Sequence, residues 1–107
     1  MDKNLKDVFL NPSHNWGNTI DIYNGSTFYF QRHNIMSGQK LSLENDKIFK
    51  VLYIQKGLGI LKVDSKLKGR FDKYDIEEGI SFNLLPFDKY EIECFQDATI
   101  FEVGTCN

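Results

Sequence analysis

The stretch Gly38-Gln39-Lys40-Leu41-Ser42-Leu43-Glu44-Asn45-Asp46-Lys47-Ile48-Phe49-Lys50-Val51-Leu52-Tyr53-Ile54-Gln55-Lys56-Gly57 decides the architecture. Its landmarks run Gly38, five residues, Glu44, one residue, Asp46, three residues, Lys50, six residues, Gly57. Between Lys50 and Gln55 the side chains alternate, because successive residues of a strand point to opposite faces. Lys50, Leu52 and Ile54 share one face, and Val51, Tyr53 and Gln55 share the other. The first face is the better interior, so a lysine is carried inside with two aliphatic neighbours.

Outward from this segment the pattern stays β throughout. Runs rich in Ile, Val, Phe and Tyr occupy 27–36, 49–55, 59–63, 80–85, 90–95 and 99–103. Turn-forming pairs separate them: Asn24-Gly25, Ser37-Gly38, Lys56-Gly57, Lys68-Gly69 and Glu78-Gly79, with Pro86 to Lys89 as a further turn. No stretch sustains a 3.6-residue period; 5–10 has room for one helical turn or a short strand. Many short, regularly spaced strands without helices predict a sandwich or barrel. No repeat or low-complexity tract marks a domain boundary.

At 107 residues the chain fits one domain and is long enough to bury a core. A net charge of −2 argues against a nucleic-acid partner, which would call for a basic stripe. Lys62, Lys66, Lys68 and Arg70 cluster, but Asp64 and Asp72 interrupt and flank them, so the cluster reads as a solvated hairpin. No apolar run is long enough for a membrane span, and the N-terminal residues lack the apolar core of a secretory signal. A cytoplasmic protein is expected, with Cys94 and Cys106 as reduced thiols. Cys94, within an alternating strand, reads as a small buried hydrophobe; Cys106 reads as exposed.

The spacing from Gly38 to Gly57 resembles the first signature of the cupin superfamily: Gly, five residues, His-x-His, three or four residues, Glu, six residues, Gly. Within that superfamily the chain is most similar to the cupin domain of type II mannose-6-phosphate isomerases. Trp16-Gly17, Gly38-Gln39-Lys40-Leu41-Ser42-Leu43 and Phe101-Glu102-Val103-Gly104 carry the likeness. The resemblance implies an all-β fold, the cupin double-stranded β-helix or jelly-roll barrel, over 16–105. Residues 1–15 then form an N-terminal arm that pairs with a sheet edge or a neighbouring subunit, and 106–107 a tail. It also implies a homodimer.

The departures bear on chemistry. Where a metal-binding cupin carries two imidazoles and a carboxylate, this chain has Glu44, Asp46 and Lys50. The second signature, Pro-x-Gly-x-x-His, becomes Pro86-Phe87-Asp88-Lys89-Tyr90-Glu91. Strict counting places Glu91 at the histidine position; apolar alternation over Tyr90, Ile92 and Cys94 favours Tyr90. If a metal bound, Glu44, Asp46 and Glu91 would form an all-oxygen set suited to Mg²⁺, Ca²⁺ or Mn²⁺. Lys50 opposes this, since an ammonium repels a cation and neutralises a carboxylate. At about 4 Å and an effective dielectric near 20 that attraction is worth about 4 kcal/mol before desolvation. No cofactor or metal is therefore expected.

The remaining candidates are polar. Lys50, Glu44, Asp46 and Tyr90 are expected to line a pocket in the barrel mouth, with Lys50 as an anion hook. Gln31 and His33 share one strand face, Arg32 and Asn34 the other. His33 reads either as a pocket residue and general base or as a hydrogen-bonded surface or interface residue. His14 reads as surface, and Trp16 as a core or interface anchor. The sequence thus favours a metal-independent module that binds a small molecule, a sugar or sugar phosphate. The alternative is a sugar-phosphate isomerase or epimerase, in which a carboxylate and Lys50 supply base and enediolate stabiliser.

Overall fold

The computed structural model describes residues 13–14, 17–45 and 48–105. The expectations for 1–12, Trp16, Asp46, Cys106 and the His14 side chain lie outside those residues. The strands are β1 (Ser13–His14), β2 (Gly17–Asn24), β3 (Phe28–Ile35), β4 (Lys40–Glu44), β5 (Lys50–Lys56), β6 (Gly59–Ser65), β7 (Arg70–Ile76), β8 (Ser81–Leu84), β9 (Lys89–Cys94) and β10 (Ala98–Thr105). They form a six-stranded sheet in the order β1-β2-β3-β10-β5-β8 and a four-stranded sheet in the order β4-β9-β6-β7. All pairs are antiparallel. This is the all-β jelly-roll barrel that the resemblance implies.

Every apolar run of the sequence became a strand. Besides the two-residue β1, three further strands carry weaker patterns. β7, Arg70-Phe71-Asp72-Lys73-Tyr74-Asp75-Ile76, is mostly exposed, so nothing forces an apolar alternation on it. β2 is polar at its ends and holds a register shift between Asp21 and Tyr23. β4 is short, and of its residues only Leu41 is buried. Among the described residues Ser13–His14 pairs with β2 of its own sheet, and no helix is long and apolar enough to cross a membrane.

Alternation is kept where the sheets face each other. β5 buries Lys50, Leu52 and Ile54 and exposes Val51, Tyr53 and Gln55. β9 buries Tyr90, Ile92 and Cys94 and turns Glu91 and Glu93 outward. Leu52, Ile54, Tyr90, Ile92 and Cys94 join Ile35, Leu41, Leu61 and Ile100 in the core between the sheets. Each fully buried Leu or Ile contributes roughly 1.5–3 kcal/mol of transfer free energy.

The turns follow their residue types. Gly38, Gly57, Gly69 and Gly79 all sit at positive φ, at the ends of strands or in hairpins. Gly57 has a second reason to be glycine, because an added Cβ would press against Ala98. Phe87 also has positive φ, 67°, in the turn from Pro86 to Lys89. Lys66, Lys68 and Arg70 lie exposed around the β6–β7 turn, with Arg70 Nε 2.8 Å from Asp72 Oδ2. That is the solvated hairpin the charge pattern predicts.

Candidate functional site

Four strands of the larger sheet aim polar side chains into the barrel at one end. Cross-strand register fixes which ones. Thr19 of β2 lies opposite His33 of β3, Gln31 of β3 opposite Glu102 of β10, and Tyr29 of β3 and Lys50 of β5 on either side of Gly104. Directly paired residues share a face, so Thr19, Tyr29, Gln31, His33, Lys50 and Glu102 meet on the inner side.

Glu102 is the centre of the cluster and is 2% exposed. His33 Nε2 stands 2.8 Å from its Oε1, and Lys50 Nζ stands 2.8 Å from its Oε2. The Tyr29 hydroxyl donates a hydrogen bond to Oε2. A carboxylate only accepts, so His33 carries a proton on Nε2. Its Nδ1 is 2.8 Å from Thr19 Oγ1 and, in the neutral ring, accepts that hydroxyl. Lys50 Nζ also lies 3.4 Å from the Tyr90 hydroxyl, and 5.6 and 6.0 Å from the ring centroids of Tyr90 and Tyr29. Both rings therefore offer it a cation–π face.

Gly104 makes room for this arrangement. A Cβ there would collide with the Tyr29 ring. The bare glycine lets the ring lie across β10 and deliver its hydroxyl to Glu102.

Burial by itself would raise the Glu102 carboxyl, but the His33 hydrogen bond and the Lys50 charge outweigh it. With the Lys50 and Tyr29 hydrogen bonds they lower it from 4.5 to about 2. Tyr90 is pushed well above its ordinary 10.0, first by burial and then by the Glu102 charge, so its hydroxyl stays protonated.

The cluster floors a cavity of about 630 Å³ lined by residues of β2, β3, β4, β5 and β10. Leu41 and Leu43 of β4 form an apolar wall; Thr19, Asn24, Gln31 and Ser42 add neutral polar groups. Gln31 Nε2 donates to Asp21 Oδ1 at 2.8 Å, which leaves its carbonyl oxygen as an acceptor.

The predicted candidates divide. Lys50, Tyr90 and His33 come together inside, and His33 is buried, which corrects its reading as a surface or interface residue. Glu44 and Glu91 do not join them. Both lie along a groove on the opposite side of the smaller sheet, and Glu91 faces Lys62 at 3.5 Å and Ser42 at 3.4 Å. A strand position next to an inward tyrosine must point outward, so the pocket placement of Glu91 is corrected by alternation alone. Asp46 is outside the described residues.

Glu102, Tyr29 and Thr19 are not among the sequence candidates. A signal for Glu102 was present: Ile100 is an obvious core residue, and the period of two puts Glu102 on the same face.

The resemblance to metal-binding cupins implies a metal at the barrel centre, but the donor set here does not suit one. Lys50 holds its ammonium against the Glu102 oxygen that a cation would need. Among the described residues no three His, Cys, Asp or Glu side chains form a group able to hold a metal ion.

No protein-family profile and no curated protein sequence matches the chain. Solved structures do. Ectoine synthase from P. lautus superposes with TM-score 0.78 at 16% identity, over 94% of this chain and 74% of that one. KdgF from Halomonas sp. gives TM-score 0.70 at 9% identity, over 84% and 78%. A variant of oxalate decarboxylase from Bacillus subtilis gives TM-score 0.80 at 16% identity, over 90% of this chain but 27% of that one. A cupin 2 conserved barrel domain protein from Leptotrichia buccalis also matches, with TM-score 0.71 at 17% identity over 81% and 39%. The protein has the cupin fold. Likeness at these identities reaches the fold and stops there.

Proposed function

We propose that this protein is a metal-independent cupin module that binds a small molecule, a sugar or sugar phosphate, in the mouth of its barrel. One observation carries the reading. The barrel centre is filled by a mutually satisfied Lys50–Glu102–His33 cluster, directly beneath an open cavity of about 630 Å³. A volume between about 300 and 1,000 Å³ with few convergent polar groups is typical of small-ligand sites. Calorimetric titration of chelator-treated protein with sugars and sugar phosphates tests it. Binding unchanged by the chelator supports the reading; binding that needs an added divalent ion, or none at all, overturns it.

A second reading, a sugar-phosphate isomerase or epimerase, is favoured by the imidazole oriented by a carboxylate. Such a pair is the usual way to fix a general base. Against it, Thr19 occupies Nδ1, so the basic nitrogen does not face the cavity directly. Turnover that disappears in His33→Ala while ligand binding persists would establish the catalytic reading.

We further propose a homodimer through the outer face of the larger sheet, where Tyr23, Phe28, Val51, Tyr53 and Val103 leave apolar surface exposed. Sedimentation of the wild type and Tyr53→Glu checks it: a dimer that dissociates on substitution is expected, and a monomeric wild type sinks the idea.

A further inference from the structure

The charge balance of the cavity floor narrows the ligand class, given the binding reading above. We infer that the pocket takes a neutral, polyhydroxylated molecule, such as an unphosphorylated sugar or polyol, and rejects its phosphate ester.

A phosphate site needs a cation whose charge is not already balanced by a neighbouring carboxylate. Lys50 is the only lysine or arginine among the described residues that line the cavity. Its ammonium is 2.8 Å from Glu102 Oε2 and 3.4 Å from the Tyr90 hydroxyl, under the rings of Tyr29 and Tyr90. The other group able to turn cationic, His33, gives its Nε2 to the same carboxylate and meets Thr19 with Nδ1. Glu102 remains ionised throughout the neutral range, since it titrates at about 2. One positive and one negative charge therefore cancel at the floor. An entering phosphate dianion would lose its water beside a fixed carboxylate, and the cation it would meet, Lys50, already has its charge balanced by Glu102, so entry costs more than it returns.

A polyol meets no such penalty. The Gln31 carbonyl oxygen, the Asn24 amide and the Thr19 hydroxyl present neutral donors and acceptors on one side. Leu41 and Leu43 on β4 face them with apolar surface suited to the C–H side of a sugar ring. Lys50, read from the sequence as an anion hook, is instead a buried partner of Glu102.

The test titrates wild-type protein calorimetrically with a panel of hexoses and pentitols, the matching hexose phosphates, and inorganic phosphate. It is repeated with Glu102→Gln, a near-isosteric change that removes the counter-charge. Wild type should bind a neutral member at least about tenfold more tightly than its phosphate, with an affinity indifferent to salt because a neutral ligand is not screened. Glu102→Gln should acquire binding of inorganic phosphate as Lys50 is released. A wild type that prefers the phosphate ester, or binds with strong salt dependence, overturns the inference and leaves the binding reading standing. No binding of either class overturns the binding reading itself. A folded Glu102→Gln protein that still ignores phosphate overturns the charge argument. The salt dependence decides the matter on wild type alone if that variant does not fold.

Discussion

Lys50 and Glu102 form an ion pair across adjacent strands, Nζ to Oε2 at 2.8 Å, with side chains 9% and 3% exposed. Removing one partner of such a pair strands a charge in the interior, at a cost of about 3–5 kcal/mol. Lys50→Met should therefore lower unfolding free energy by roughly that amount. Lys50→Met/Glu102→Gln should recover much of the loss, because the stranded carboxylate is gone. Urea denaturation of the wild type, both single variants and the double variant closes the cycle. If Lys50→Met costs under about 1 kcal/mol, the pair is solvated and behaves as an ordinary surface bridge.

Gly104 is tied to the same cluster through Tyr29, whose ring occupies the space a Cβ would fill. Gly104→Ala should displace the ring and break its hydrogen bond to Glu102. Overpacking of this kind costs about 1–3 kcal/mol. In a Tyr29→Ala background the ring is absent and the same substitution should be close to neutral. Thermal unfolding of the four proteins measures the coupling; equal penalties in both backgrounds would show that something other than the ring resists the Cβ.

Much of this architecture was legible because it rests on a two-residue period. Lys50, Leu52 and Ile54 inside, and Tyr90, Ile92 and Cys94 inside, follow from alternation and from core residues that anchor its phase. The site was harder to read. Glu44 and Glu91 occupy ligand positions in the spacing, yet strand phase sends both outward. Spacing along one chain does not settle phase; the neighbouring strand does. The charge that Lys50 meets comes from β10, beyond any local window. Its carrier, Glu102, was hidden in a stretch noted for its apolar run and its sequence likeness. The aromatic strand β3 left its inner face undecided until pairing with β10 set His33 against Ile100.

Cys94 supplies an independent check of the core. It is fully buried, and burial, aided by the Glu93 charge, pushes its thiol up to about 11. Thiolate is the reactive form, so the native protein should alkylate at Cys94 far more slowly than denatured protein at neutral pH. Peptide mapping after iodoacetamide treatment, with and without guanidinium, separates it from Cys106. Labelling of Cys94 at the denatured rate would place it at the surface and undo the packing of β9 against β6.

Acid should dismantle the cluster in a defined window. In the folded protein Glu102 holds its proton less tightly than an ordinary glutamate, about 2 against 4.5. Its stabilising contribution is then complete above about pH 4.5, falls as pH drops, and is spent below about pH 2. That shift corresponds to roughly 3 kcal/mol, each pKa unit being worth about 1.4 kcal/mol. Other carboxylates titrate over the same range, so the informative quantity is a difference between wild type and Glu102→Gln. Urea unfolding of both, followed by circular dichroism at a series of pH values from neutral downward, isolates it. The wild type should lose about 3 kcal/mol more than the variant across the window. Parallel curves would mean that the carboxylate is not held by His33, Lys50 and Tyr29 in solution. In that case Lys50 would be free to meet an anion, and the neutral-ligand inference would fall with the cluster.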